Sequence, residues 1–249
     1  MKIITVNARK LYPVITAVKI AVITVSLLLS STLALRYVLG APLYVLSAAE
    51  ASQKQIVIVD AGHGGEDCGA VGTSGVYEKT LNLEIANLLS EELSKSGFEV
   101  IMTRTEDKLL YTETENIKGI RKISDLKNRV KIAKEYPDAI FVSVHMNSYG
   151  VEKYSGFQAY FNGADERSRI LANTVQKNVR EKLQPENKRA IKDGRELYIL
   201  KNSPTNTVLL ECGFLSNSYE CEKLCEKEYQ KELSFAIVCG IIEYIELQN

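Results

Sequence analysis

The chain has 249 residues, enough for one sizeable domain with its own hydrophobic core. Hydrophobic residues make up 45% and charged residues 25%, which excludes a disordered or low-complexity polymer. Lysine plus arginine equals aspartate plus glutamate, 31 against 31, so no overall basic field points to nucleic acid.

The charge is uneven along the chain. Residues 1–50 carry five basic groups (Lys2, Arg9, Lys10, Lys19, Arg36) and one acid, Glu50, which leaves 26 basic and 30 acidic groups beyond them. From Ile20 to Leu35 the sequence "IAVITVSLLLSSTLAL" has no charge. A spanning helix needs about 20 apolar residues and a signal-peptide core about 7–15, so this run falls between the two. Lys19 can lengthen a span by snorkelling, whereas the small residues of "SAAEAS" around Ala49 to Ser52 suit a cleavage site. Basic residues ahead of the run place the N-terminus inside the cell and the body outside it. Residues 1–51 are therefore expected to form a basic head, a signal or anchor helix and a linker. An uncleaved membrane anchor is the expectation and a cleaved signal the alternative. In both cases the body, 52–249, is exported to the extracytoplasmic face of the membrane, tethered there or released.

Apolar runs of strand length then alternate with segments of helical period. Strands are predicted at 55–60, 98–104, 139–145, 156–161, 196–200 and 207–212. Between the first two, Leu81, Ile85, Leu88 and Leu93 step along one helix face before Gly97. Further helices are predicted at about 124–135, 165–183 and 219–247. The last carries Leu233, Ile237, Gly240, Ile241 and Ile245 on one stripe. The order implies an α/β fold, a single catalytic domain whose largely parallel twisted sheet of about six strands has helices on both faces. The polar segment at about 106–124 reads as a long loop or insertion. The five cysteines (Cys68, Cys212, Cys221, Cys225, Cys239) are odd in number, so they cannot all pair internally. They read as small buried hydrophobes with at most one bridge.

The first strand runs into "DAGHGGEDCGAVG", a glycine-rich loop. Its glycines are spread too widely for a dinucleotide fingerprint, no helix begins until about Lys79, and the P-loop Lys-Ser/Thr pair is absent, so no nucleotide is expected. The chain has two histidines. His63 lies just past the end of the first predicted strand and His145 ends the third. In open α/β sheets the site forms outside the carboxyl ends of the strands. Two carboxylates occupy similar places. Glu78 stands where the glycine-rich loop becomes a helix, and Glu211 closes the apolar run "TVLLE". An acid there is expensive to desolvate unless it is paired, bound to metal or facing a cleft. Two histidines and one carboxylate, with a coordination position left open, are the ligand set of a catalytic zinc, and a further carboxylate can act as general base. Spacing alone leaves open which glutamate does which.

These residues also carry a resemblance. "DAGHGGEDCGAVG", "EKTLNLEIA", "MTRTED", "FVSVHMNS" and "LLECGFLSN", in that order from about Gln55 to the C-terminus, resemble the successive motifs of the zinc-dependent N-acetylmuramoyl-L-alanine amidases of the amidase-3 type. The resemblance implies that His63, Glu78 and His145 bind one Zn²⁺ and that Glu211 is the catalytic acid/base. It implies hydrolysis of the amide between N-acetylmuramic acid and L-alanine of the peptidoglycan stem peptide. Asn147, Ser148 and Arg104 are weaker candidates for substrate contact; Asn147 and Ser148 could instead orient ligands, and Arg104 could brace the site, although for Arg104 a strand-end salt bridge is the simpler reading. The insertion between Asp107 and Arg129 departs from the family's short spacer, and "PTNTVLLE" lacks a proline often found before the second glutamate. The insertion, the single N-terminal apolar segment and the lack of a repeat or wall-binding module are similar to the germination-specific amidases of endospore formers. That subtype implies action on spore cortex toward muramic-δ-lactam. Two alternatives stay open: another exported zinc hydrolase, either a peptidase or a sugar deacetylase, and a non-catalytic membrane-tethered peptidoglycan-binding module. The insertion could serve as a docking surface for a protein partner.

Overall fold

The computed structural model describes Lys19, residues 21–31 and residues 54–248. Ile20 and residues 32–53, including the expected cleavage-site stretch, lie outside the described residues. The chain separates between Gln53 and Lys54 into two units. In the first, residues 21–31 are helical and exposed. Among the described residues no helix is long and apolar enough to cross a membrane.

The second unit is built on a six-stranded sheet. Its strands are β1 (Ile56–Ala61), β2 (Glu99–Met102), β3 (Ile140–Asn147), β4 (Gln158–Phe161), β5 (Lys192–Asp193) and β6 (Asn206–Phe214), in the spatial order β2-β1-β3-β6-β4-β5. The pairs β1/β2, β1/β3 and β3/β6 are parallel. β4 runs antiparallel to β6 and parallel to β5. The helices are α1 (Glu78–Lys95), α2 (Arg121–Glu135), α3 (Glu166–Lys182), α4 (Tyr198–Asn202), α5 (Ser218–Cys225) and α6 (Lys227–Glu246).

Strand alternation sends successive side chains to opposite faces. Val57 and Val59 of β1, Val142 and Val144 of β3, and Val208 and Leu210 of β6 join the larger core beneath α1, α3 and α6. Ile58 and Phe141 point the other way and meet Val130 and Ala133 of α2 and Ile199 of α4 in a smaller core. Glycine lets α6 approach α3 closely: a Cβ on Gly240 of α6 would lie 2.5 Å from the Val175 Cα of α3.

The predicted α/β class and parallel sheet are present, with three local differences. Residues 196–200, predicted as a strand, instead run through a turn into the short helix α4, which begins at Tyr198, and the edge strand is β5 at 192–193. Ile199 and Leu200 are both buried, which a helical turn against the sheet permits and a half-covered strand does not. The predicted helix at 219–247 is broken after Cys225, where Glu226 is extended with ψ 122° and serves as the N-cap of α6. On α1 the core stripe runs through Leu89, which is buried, rather than Leu88, which is half-buried. All five cysteines are free, and Cys68 and Cys212 form no bridge.

Candidate active site

The sheet brings the proposed residues together on its less heavily covered face. His145 on β3 pairs directly with Glu211 on β6, and Glu211 pairs in turn with Gln158 on β4. Residues directly opposite in a sheet share a face, so His145, Glu211 and Gln158 form one row at the carboxyl ends of β3 and β6. His63 reaches the row from the loop after β1, and Glu78 from the first turn of α1.

The loop bends hard to do this. His63 has φ of 61°, the left-handed region that non-glycine residues rarely adopt. Its carbonyl is held there by Arg129 Nη2 at 2.8 Å. A Cβ on Gly69, itself at φ 65°, would come within 2.5 Å of Glu78 Oε2 and 2.8 Å of the His63 ring. The glycine-rich loop thus lets the backbone close around two candidate ligands.

The donor atoms converge. His63 Nε2 lies 3.2 Å, and His145 Nδ1 3.0 Å, from Glu78 Oε1. One ligand atom from each of the three residues falls within 4.8 Å of the others. The rings stand edge to face with centroids 4.9 Å apart. The far nitrogen of His63, Nδ1, meets Asp67 Oδ2 at 2.8 Å. That arrangement, a carboxylate fixing the tautomer of a ligating imidazole, is the usual support of a metal histidine. Glu78 is itself oriented: Ala70 N–H donates to its Oε2 at 2.8 Å and Met146 N–H to its Oε1 at 3.1 Å.

The electrostatics favour a cation here. Burial alone would lower the His63 pKa, but hydrogen bonds to Asp67 and Glu78 outweigh it and push the imidazole up to about 9. Burial would raise Glu78, yet its hydrogen bonds to His145 and His63 hold the carboxyl well below the usual range. Two imidazole nitrogens and one carboxylate suit Zn²⁺ with a coordination position left open, and the Asp67 support fits the same ion.

Glu211 is different. It is half-buried as a residue, but its Oε2 is fully buried and has no hydrogen-bond partner among the described residues. Burial pushes its carboxyl up to about 7. A buried carboxylate oxygen without a donor is costly unless something else approaches it, and a carboxyl poised near neutrality is suited to proton transfer.

A pH dependence follows for the metal-free protein. Both His63 and Glu211 have folded-state pKa values above their ordinary ones. Such groups contribute stability that is full below the unfolded values, about 6.5 and 4.3, and that fades as pH rises through the folded values. The metal-free protein should therefore lose stability between pH 5 and 9, to about 7 from Glu211 and to about 9 from His63. A metal taken up by the His63–Glu78–His145 group would have to displace the His63 proton. The rise in melting temperature on adding Zn²⁺ is therefore expected to be larger at pH 9 than at pH 6, as calorimetry at both values would show. An equal or smaller rise at pH 9 would contradict this charge balance.

The other predicted contacts divide. Asn147 is half-buried and Ser148 exposed, both just beyond His145. Arg104 is 2% exposed, and its guanidinium donates to the carbonyls of Ala61, Gly62, Lys79 and Glu106. It makes no ion pair among the described residues. Of the readings of Arg104, substrate contact and a strand-end salt bridge are corrected, and the bracing role is the one its contacts match: Arg104 holds the loop that carries His63. Asp67 was not singled out from the sequence. Its signal is its place four residues after His63 in the same glycine-rich loop.

The insertion also differs from a free loop. Asp107 accepts from Gly65 N–H at 2.7 Å and from Lys79 Nζ at 2.7 Å. Arg121 pairs with Glu66, and Lys122 with Asp67 at 3.1 Å. Both ends of the insertion are thus fastened to the loop bearing the candidate ligand.

Residues 57–243 match the family model described as N-acetylmuramoyl-L-alanine amidase. Among curated relatives, a germination-specific N-acetylmuramoyl-L-alanine amidase of Bacillus subtilis is 34% identical over 190 residues, covering 76% of this chain and 79% of the relative. An uncharacterised Bacillus subtilis protein, YqiI, is 36% identical over 201 residues, covering 80% and 89%. Among solved structures, the CwlD amidase of Clostridioides difficile, in complex with the GerS lipoprotein, is similar with a TM-score of 0.75 and 35% identity, covering 78% of this chain and 100% of that one.

Proposed function

The chain belongs to the N-acetylmuramoyl-L-alanine amidase family, hydrolases of cell-wall peptidoglycan, and from that membership we propose which residues do the chemistry and on which wall. His63, Glu78 and His145 hold one Zn²⁺, and Glu211 is the acid/base. When bound, zinc would supply Lewis acidity that polarises a carbonyl and makes water nucleophilic near neutral pH.

Glu211 accepts the proton of the attacking water and returns it to the departing L-alanine nitrogen. The amide joining the lactyl group of N-acetylmuramic acid to the stem peptide is thereby cleaved. Asp67 keeps the His63 ring oriented, and Ala70 and Met146 N–H groups keep Glu78 from rotating. The observation that carries this reading is the buried, unpartnered Glu211 oxygen in register with His145.

The substrate wall we propose is spore cortex, where stem-peptide removal prepares muramic-δ-lactam for germination. It is supported by the likeness to a germination-specific amidase and by the insertion. The body acts outside the cytoplasmic membrane, tethered through the apolar segment ahead of it. A lipoprotein-like protein partner is part of the proposal, since a similar amidase was solved with one.

The test is product analysis. The full chain, loaded with Zn²⁺, is incubated with cortex and vegetative peptidoglycan and the fragments are identified by mass spectrometry. Stem peptides beginning with L-alanine and glycan with intact N-acetyl groups are expected, with faster release from cortex. Deacetylated sugar, or peptide cut elsewhere, would overturn the bond assignment. Equal release from both walls would overturn the cortex assignment. His63→Ala and His145→Ala are each expected to abolish both zinc binding and release, measured on the same samples.

A further inference from the structure

Beyond Glu211, on the side away from the histidines, the sheet continues through β4 to β5. There it forms an open hollow of about 260 Å³ lined in part by Asn147, Tyr154, Gln158, Tyr160, Arg189 and Lys192. Two features single it out. It is bounded by cations that have no acidic partner: neither Arg189 nor Lys192 forms a salt bridge among the described residues. Its cations are also held in place. Arg189 donates through Nε to Ser155 O at 2.6 Å and through Nη1 to Gln158 Oε1 at 3.1 Å, and its guanidinium lies over the Phe214 ring at 4.4 Å. Nη2 is left without a hydrogen-bond partner among the described residues. Lys192 stands over Tyr160, its Nζ 5.1 Å from the ring centroid, and its charge is felt at Glu211. The nearby acid Glu220 feels the Arg189 charge but forms no salt bridge with either cation; its carboxylate accepts from Gly156 and Phe214 N–H, both at 2.8 Å.

The direction of the reaction says which part of the substrate lies here. The acyl side of the scissile amide faces the His63–Glu78–His145 cluster, and the nitrogen that receives a proton from Glu211 belongs to the peptide. Moving across the sheet from His145 to Glu211 and on to Gln158 and Lys192 therefore leads along the peptide, away from the glycan.

We propose that the hollow between Arg189 and Lys192 is a peptide-side subsite that binds a free carboxylate on the residue following L-alanine. The planar guanidinium offers a directional N–H and Lys192 a point charge, while the tyrosines cover the peptide's apolar faces. The subsite rests on the amidase reading above and deepens it to substrate selection. A stem peptide whose carboxylate is masked as a carboxamide would lose the charge-assisted contact.

Binding separates this subsite from catalysis. The full chain carrying Glu211→Gln, loaded with Zn²⁺, is titrated calorimetrically with two muramyl peptides. They differ in a carboxylate or a carboxamide on the residue after L-alanine. The carboxylate form is expected to bind about tenfold more tightly, a difference that shrinks as salt is raised. Lys192→Glu and Arg189→Gln should each bring the two ligands within about twofold, while Lys192→Arg keeps the preference. Equal affinity for both ligands before any second substitution would overturn the subsite, as would a preference that survives both charge-removing variants. If neither ligand binds although zinc is bound, the amidase reading falls, and the subsite with it.

Discussion

Glu211→Gln is expected to leave zinc content unchanged and to lower kcat by about 100- to 10,000-fold, the range a positioned acid/base contributes. The substitution is nearly isosteric and touches none of the three atoms that converge as ligands. It removes a carboxyl that burial pushes up to about 7, so the variant is no less stable than the parent at neutral pH. What it removes is the ability to take a proton and return it. His63→Ala differs in kind, because it deletes a proposed ligand and the partner of Asp67 together. Zinc measured by mass spectrometry alongside turnover separates the two. A Glu211→Gln protein with bound zinc and a kcat within a few-fold of wild type would show that the proton travels by another group. A variant that lost its zinc would instead place Glu211 among the ligands, the alternative that sequence spacing left open.

Much of this candidate site is legible in the sequence because its polar groups mark strand ends. His145 and Glu211 each close an apolar run, and a polar group at the carboxyl end of a parallel strand lies at the edge where α/β sites form. His63 is legible for the same reason, helped by the scarcity of histidine. What the sequence hid are the groups that act through backbone. Sequence offers substrate contact, a brace or a strand-end salt bridge for Arg104 and cannot choose among them until its guanidinium is seen to bind carbonyls, because carbonyls leave no mark in a sequence. Arg189 and Lys192 lie in a polar stretch without strand or helix period, so nothing local ties them to Glu211. Only the return of β4 antiparallel to β6 brings them there. The run at 196–200 reads as a strand because a short apolar run has no period long enough to separate a strand from a helical turn.

The second large effect concerns stability. Arg129 on α2 is 1% exposed and sits between two buried acids, Asp60 at 0% and Asp125 at 3%. All of its N–H donors are used. Nε meets Asp125 at 2.7 Å, Nη1 meets Asp60 and, at 2.7 Å, the Ala61 carbonyl, and Nη2 meets Asp125 and the His63 carbonyl. Asp60 is further bound by Ser143 and Thr103 hydroxyls at 2.6 and 2.7 Å. Breaking a buried ion pair by removing one partner costs about 3–5 kcal/mol, since the other charge stays buried and unpaired. Arg129→Met is expected to lose stability of that order at pH 7, and to weaken zinc binding as well, because the His63 carbonyl is released from the bend at positive φ. Arg129→Lys keeps the charge but cannot reproduce the fork, so it recovers stability only in part.

The pH dependence identifies the cause. In the native protein burial would raise the Asp60 pKa, but the Arg129 charge and the two hydroxyls outweigh it, and the carboxyl is held below its usual value. A depressed folded pKa gives stability that is present above the unfolded value, near 4, and lost as pH falls below it. Without Arg129 the burial term has less to oppose it, Asp60 shifts upward, and the variant is relieved by protonation at a pH where the native protein is not. The gap between Arg129→Met and wild type, measured as denaturant midpoints of metal-free protein, should therefore narrow from pH 7 to about pH 4. A gap that stays constant would mean that Arg129 contributes packing rather than charge, and that the loop bearing His63 is held in its bend chiefly by Arg104.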